Sequence, residues 1–161
     1  MLNKFYESVK QFNNLAGNND VSIKGFKNQL KLIYEEAIHE GEEALKDKSV
    51  VKMLDSTVDA LYVVFGNLQK LEMMGCNIEG AIKQVCDDNI GKFPSNEEDA
   101  QKSVLHYNNQ NINVSYTYNP EYNRYVIKDS NQKVKKPWNF TPTDLTQYVP
   151  EELRKKGLDN E

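Results

Sequence analysis

Two neighbouring stretches decide how this chain is read: Leu32–Leu45, LIYEEAIHEGEEAL, and Val50–Gly66, VVKMLDSTVDALYVVFG. In the second, Val51, Leu54, Val58, Leu61 and Phe65 recur at helical spacing, and Leu68 continues the series. Ala60, Val63 and Val64 widen that apolar stripe, so the helix is expected to touch more than one neighbour, a second subunit included. The same helix carries Asp55 and Asp59 one turn apart, and the first stretch sets Glu36 over Glu40 in the same way. Glutamates alone, here Glu35, Glu36, Glu40, Glu42 and Glu43, would read as a solvated helix face. The aspartates change the reading. Aspartate is a poor helix-interior residue, and an unpaired carboxylate beside a buried stripe is costly. A divalent cation is the simplest partner for facing carboxylates, so the pattern points to a metal site.

Working outward, Leu2, Phe5, Val9, Phe12 and Ala16 predict a first helix over 2–16, ended by Gly17-Asn18-Asn19-Asp20. A second helix is expected over 23–45, with Phe26, Leu30, Ile33, Ala37 and Ala44 on its apolar side. The Lys46–Ser49 turn supplies N-caps for the third. Gly75 breaks the pattern, and Asn77 can cap a fourth helix from Ile78 to about Ile90. Ser95 and Glu98 have capping-box spacing for a short fifth helix to about Tyr107.

The character of the chain then changes. Ile112, Val114, Tyr116 and Tyr118 alternate with polar residues as in a half-buried strand. Asn119-Pro120-Glu121 turns the chain into a second strand over 122–128, and so into a hairpin. A further turn at Asp129–Gln132 precedes the basic run KVKKPW. Thr141-Pro142-Thr143-Asp144 predicts one more helical turn. The expected product is a mainly α protein with a short C-terminal β-hairpin and a closing segment. We read a single domain over 1–150, comprising a helical core (1–93), a short helix plus hairpin (94–130) and a basic closing segment (131–150). A frayed tail is expected over 151–161.

At 161 residues the chain suits one domain, and 39% hydrophobic with 27% charged residues describes a soluble globular protein. A net charge of −4 gives no general pull toward nucleic acid or anionic membrane, and no apolar run reaches bilayer-spanning length. The amphipathic, acid-bearing start is unlike a signal peptide. Cys76 and Cys86 make no metal-binding spacing and are expected as reduced thiols of a cytoplasmic protein. There is no glycine-rich phosphate loop and no serine–histidine–acid or cysteine–histidine set, which argues against covalent nucleophilic catalysis.

The stretches EEAIHE and LDSTVDALYVVFG resemble the EExxE and ExxD turns, with their LYVVYG-like continuation, of the all-α nucleoside triphosphate pyrophosphohydrolases. Within that superfamily, the MazG and phosphoribosyl-ATP pyrophosphohydrolase-like group, the chain is most similar to the phage-encoded type. The resemblance extends to VCDDNIGKF, similar to a phosphate-contacting segment of Asn-x-x-x-Lys type, here Asn89 and Lys92 at Asn-x-x-Lys spacing. It resumes at KVKKPWNFTPTDL, similar to a basic closing segment. In all it covers roughly 4–93 and 126–148. Three departures stand out. EExxE begun at Glu35 ends on His39, whereas begun at Glu36 it ends on Glu40. The ExxD acid before Asp59 is replaced by Ser56, so Asp55 must take that ligand role or the site lacks one. Residues 94–125 lie outside the family core.

The resemblance implies an antiparallel four-helix core and magnesium-dependent cleavage of a nucleoside triphosphate to monophosphate and pyrophosphate, with manganese as a substitute ion. The over-wide apolar stripe of the third helix predicts a homodimer or homotetramer. Charge and composition predict a cytoplasmic protein, in the host cytoplasm if phage-encoded, with no membrane or nucleic-acid partner. Carried over, Glu36, Glu40, Asp55 and Asp59 hold metal, and Glu35 or Glu36 orients or deprotonates the attacking water. Asn89 and Lys92 contact phosphate, and Lys135 and Lys136 close over it, unless that lysine pair serves only to keep a sheet edge soluble. A catalytically silent helical binding module with a degenerate metal site is the alternative. His39 reads as an outer partner of the carboxylates or as a surface residue. His106 carries no signal. Trp138, Phe140 and Tyr148 read as base-stacking or packing residues.

Overall fold

The helical periods become α1 (Leu2–Ala16), α2 (Ile23–Tyr34), α3 (Glu40–Lys46), α4 (Val50–Met73), α5 (Ile78–Ile90), α6 (Glu97–Asn108) and α7 (Glu151–Lys156). The structure is a computed structural model that describes residues 2–156. Two antiparallel strands, β1 (Val114–Asn119) and β2 (Arg124–Asp129), form the hairpin, with pairing from Val114↔Asp129 to Asn119↔Arg124. The protein is thus mainly helical with a small two-stranded sheet. The starts of α2 and α4 follow capping chemistry: Ser22 Oγ accepts from the Gly25 N–H and Ser49 Oγ from the Lys52 N–H. Gly75, at φ +86°, ends α4 by returning the Gly75 and Cys76 N–H groups to the Glu72 and Leu71 carbonyls.

Local expectations need correction in four places. The helix over 23–45 is interrupted by a π turn, Glu35–His39, between α2 and α3. The cap of α6 is Asn96 rather than Ser95: its Oδ1 accepts from the Asp99 N–H at 2.8 Å and its Nδ2 donates to Asp99 Oδ2 at 2.9 Å, a reciprocal box closed by aspartate. Thr141–Asp144 is not helical; a 3₁₀ turn forms instead at Thr146–Tyr148. Residues 151–156 are helical rather than frayed, and 157–161 lie outside the described residues.

The described residues divide into two compact units, 2–78 with 146–156 and Glu79–Leu145, so that α5 groups with the hairpin. In the first unit α1, α2, the π turn and α3 all pack on α4. Phe5 meets Tyr62 and Phe65 edge-on, Tyr6 meets Phe65, and Val9 and Ala44 are fully buried. The rest of this interior is polar. Asn13 Nδ2 donates to Gln69 Oε1 at 2.8 Å, Gln29 Nε2 donates to the Val63 carbonyl at 2.7 Å, and Asn18 Nδ2 bridges Asn13 and Gln29. Gly66 makes room for this seam, since a Cβ there would stand 2.9 Å from Gln29 Nε2. Lys70, 1% exposed, donates to the Asn18 carbonyl (2.9 Å), Asn18 Oδ1 (3.1 Å) and the Asp20 carbonyl (3.0 Å).

The face of α4 that packs inward is therefore the one bearing Ser56, Gly66, Gln69 and Lys70. The apolar stripe faces the other way over its first half. Val51 is 79% and Leu54 65% exposed, and Val58, Leu61 and Val64 are exposed as well. The stripe expected to be buried is open within one chain, and Asp55 and Asp59 beside it are exposed.

In the second unit α6 packs against both strands, burying Ala100, Ser103, Val114 and Ile127. The segment after β2 is tied to the same elements: the Lys135 N–H donates to the Ile127 carbonyl, Tyr107 OH to the Lys136 carbonyl, and the Trp138 N–H to Ser103 Oγ.

Candidate functional site

The acidic residues of the first unit are positioned by the π turn. The Glu40 N–H reaches back five residues to the Glu35 carbonyl instead of four. Beyond it, α spacing assigns the Gly41 N–H to Ala37, so the Glu36 carbonyl is passed over by the helical ladder. Ser56 on α4 supplies the missing donor: its buried Oγ donates to the Glu36 carbonyl at 2.6 Å. Gly41 lies over the same hydroxyl, where a Cβ would stand 3.4 Å from Ser56 Oγ.

A π turn needs more than four residues to go round, so both i+4 and i+5 return close to the starting face. Glu35 and Glu36 consequently share a face with Glu40. The charges acting on Glu36 identify its neighbours as Glu40, then Asp59 across on α4, then Glu35. Partial burial raises the Glu36 carboxyl above the ordinary glutamate range. Repulsion by Glu40 and Asp59 adds to this, as does a hydrogen bond to Glu40. Glu35 Oε1 pairs with His39 Nδ1 at 3.1 Å, and both side chains are solvent-exposed. Asp55 is exposed and is not among the charges that act on Glu36.

Among the described residues Glu36, Glu40, Asp55 and Asp59 make no ion pair. No set of three histidine, cysteine, aspartate or glutamate side chains among them stands in a group that could hold a metal ion as placed. The donors are hard carboxylate oxygens, the chemistry magnesium takes.

The residues expected to contact phosphate all belong to the second unit. Lys92 Nζ donates to Asn89 Oδ1 at 2.6 Å, so this pair is brought together. Lys135 Nζ pairs with Asp129 Oδ2 at 3.0 Å, and Lys136 Nζ lies 4.7 Å from the centre of the Phe140 ring. Trp138 Nε1 donates to Asp99 Oδ1 at 3.3 Å. His106 Nε2 lies 2.9 Å from Gln110 Nε2. Cys76 and Cys86 are free thiols.

Two features of the first unit have no counterpart in the sequence reading. One is the polar seam of Asn13, Asn18, Gln29, Gln69 and Lys70; its only trace is polar residues at helical spacing, which solvent faces share. The other is the role of Ser56. No helix among the described residues is long and apolar enough to cross a membrane. No protein-family model, no curated protein and no solved structure matches the chain.

Proposed function

We propose that this chain is a magnesium-dependent nucleoside triphosphate pyrophosphohydrolase built on the four-helix core of the all-α family that its motifs resemble. The carrying observation is the facing of Glu36 and Glu40 on the π turn and α3 with Asp59 on α4, with no cationic side chain among the described residues paired to any of them. Glu36, Glu40, Asp59 and, after rotation, Asp55 would hold the metal. Magnesium, or manganese in its place, would offset phosphate charge and acidify a bound water. Glu35, held on one oxygen by His39, keeps the other free to take the proton of the attacking water. The water oxygen bonds to the α-phosphorus, the α–β bridging bond breaks, and pyrophosphate leaves. Asn89, Lys92, Lys135 and Lys136 are the proposed phosphate-contacting residues.

The protein is proposed to act as a homodimer or homotetramer in the cytoplasm, in nucleotide-pool cleansing or phage nucleotide metabolism. The open apolar stripe of α4 supports the oligomer, because side chains of this size are normally covered. The test is incubation with Mg²⁺ or Mn²⁺ and a panel of nucleoside triphosphates, with pyrophosphate and monophosphate measured. Release is expected, and Glu36→Ala and Asp59→Ala are expected to abolish it while leaving the helical circular dichroism unchanged. No release from any nucleotide at high protein concentration would overturn the proposal. It would favour the catalytically silent helical module.

A further inference from the structure

We propose that Ser56 is a positioning residue that latches the π turn and so decides which glutamates face Asp59. The inference rests on the pyrophosphohydrolase reading for its catalytic meaning, but its geometry stands independently. A π turn leaves one carbonyl without a helical donor, and a buried carbonyl without a partner is unfavourable. Here that carbonyl belongs to Glu36, and Ser56 Oγ donates to it at 2.6 Å from a buried position on the neighbouring helix. Three features agree that the contact is built. Gly41, two residues past the turn, lies over the serine hydroxyl, and a Cβ there would stand 3.4 Å from it. Ala44 is fully buried, which sets the rotation of α3 beyond the turn. Ser56 and Asp59 are three residues apart on α4, on neighbouring positions of one face, so the residue that holds the Glu36 backbone is a turn away from the carboxylate that Glu36 faces.

The consequence is mechanical. If the ladder closed at i+4 throughout, everything on one side of the turn would rotate by about one residue relative to the other, roughly 100°. Glu35 would leave the face of Glu40, and Glu36, still four residues from Glu40, would be left as its only partner on the turn. The serine hydroxyl therefore acts on the site through a backbone carbonyl rather than as a ligand, in the way that outer partners orient metal ligands.

Two variants and two readouts test this. The ¹³C chemical shift of the Glu36 carbonyl, which reports its hydrogen bond, is measured in metal-free protein, and Mn²⁺ affinity is measured by electron paramagnetic resonance. Ser56→Ala is expected to move the Glu36 carbonyl shift and to weaken Mn²⁺ binding by about 10- to 100-fold. Ser56→Thr, which keeps the hydroxyl, is expected to restore both. An unchanged carbonyl shift in Ser56→Ala, or a shift that moves while Mn²⁺ affinity stays at the wild-type level, overturns the positioning role. A wild-type protein that shows the carbonyl shift but binds no Mn²⁺ overturns the hydrolase reading instead, while the response of the shift to Ser56→Ala upholds the latch.

Discussion

Replacing Lys70 by methionine is the sharpest test of how the first unit is held together. Methionine keeps the length and approximate volume of the side chain and removes the ammonium group. That group donates to the Asn18 carbonyl, Asn18 Oδ1 and the Asp20 carbonyl, at 2.9, 3.1 and 3.0 Å. Asp20 is exposed, so water can replace the donor there, whereas Asn18 is half-buried and its two acceptors lose their partner. Each unsatisfied buried acceptor costs about 1–3 kcal/mol, which puts the loss at about 2–6 kcal/mol. Against it stands relief of the desolvation of a buried cation, the cause that lowers the Lys70 pKa; the Asp20 carboxylate opposes that lowering. Three acceptors already offset most of the desolvation, so we expect a net destabilisation of about 2 kcal/mol. In urea unfolding the midpoint should fall by about 1 M with an unchanged slope. Amide exchange over residues 17–21 should accelerate with it. The pH dependence has a definite sign. A lysine whose folded pKa lies below its unfolded value makes stability rise as pH climbs from the folded toward the unfolded value. The gap between wild type and Lys70→Met should therefore widen on the alkaline side. An unchanged or higher midpoint for Lys70→Met would refute the reasoning, because desolvation would then outweigh the carbonyl cage.

Three further outcomes follow from the same structure. Leu54→Lys, at the centre of the open α4 stripe, should shift the protein from oligomer toward monomer in sedimentation equilibrium. Burial of a leucine contributes about 1.5–3 kcal/mol, so the dissociation constant should rise at least about tenfold; a monomeric wild type would remove the premise. Asp59→Asn should bring the raised Glu36 carboxyl back toward the ordinary range, read by ¹³C carboxyl titration. An acid whose folded pKa is raised destabilises the fold while ionised, and the penalty disappears as pH falls through that raised value. Asp59→Asn should therefore shrink the stability gained on mild acidification. Ser103→Ala removes a fully buried hydroxyl that donates to the Asp99 carbonyl at 2.6 Å and accepts from the Trp138 N–H at 3.0 Å. A cost of about 1–3 kcal/mol is expected. The emission of Trp138, the single tryptophan, should shift to the red as its backbone tie to α6 is lost.

The helices were legible because apolar residues keep a period that local sequence records, and the hairpin because alternation and Asn119-Pro120 coincide. Which face of each helix turns inward was not legible where the interior is polar. Val51, Leu54 and Val58 look like a core stripe and Gln69 and Lys70 like a solvent face. The arrangement is reversed because Asn13, Asn18 and Gln29, distant in sequence, arrive with complementary donors and acceptors. The cap of α6 fell one residue late for a related reason. Ser95 and Asn96 can each accept from the first turn, and it is Asn96 that accepts from the Asp99 N–H and donates back to the Asp99 carboxylate.

The acidic helix shows most clearly what a sequence holds without revealing. Begun at Glu35 the EExxE pattern ends on His39, and begun at Glu36 it ends on Glu40. Glu35 and Glu40 are five residues apart and Glu36 and Glu40 four, and a π turn returns both spacings to one face. Both glutamates are therefore brought to the face of Glu40, and the cost is a single unsatisfied carbonyl. Ser56, which departs from the acid expected at that position, is the residue that satisfies it. Under the proposed function, the loss of a carboxylate on α4 and the extra glutamate on the π turn are one exchange. A chain that regained the acid at position 56 would leave the Glu36 carbonyl without its donor. Ser56→Glu alone should thus bind Mn²⁺ no better than wild type, despite the added charge, and tighter binding by Ser56→Glu would show that the exchange is not coupled.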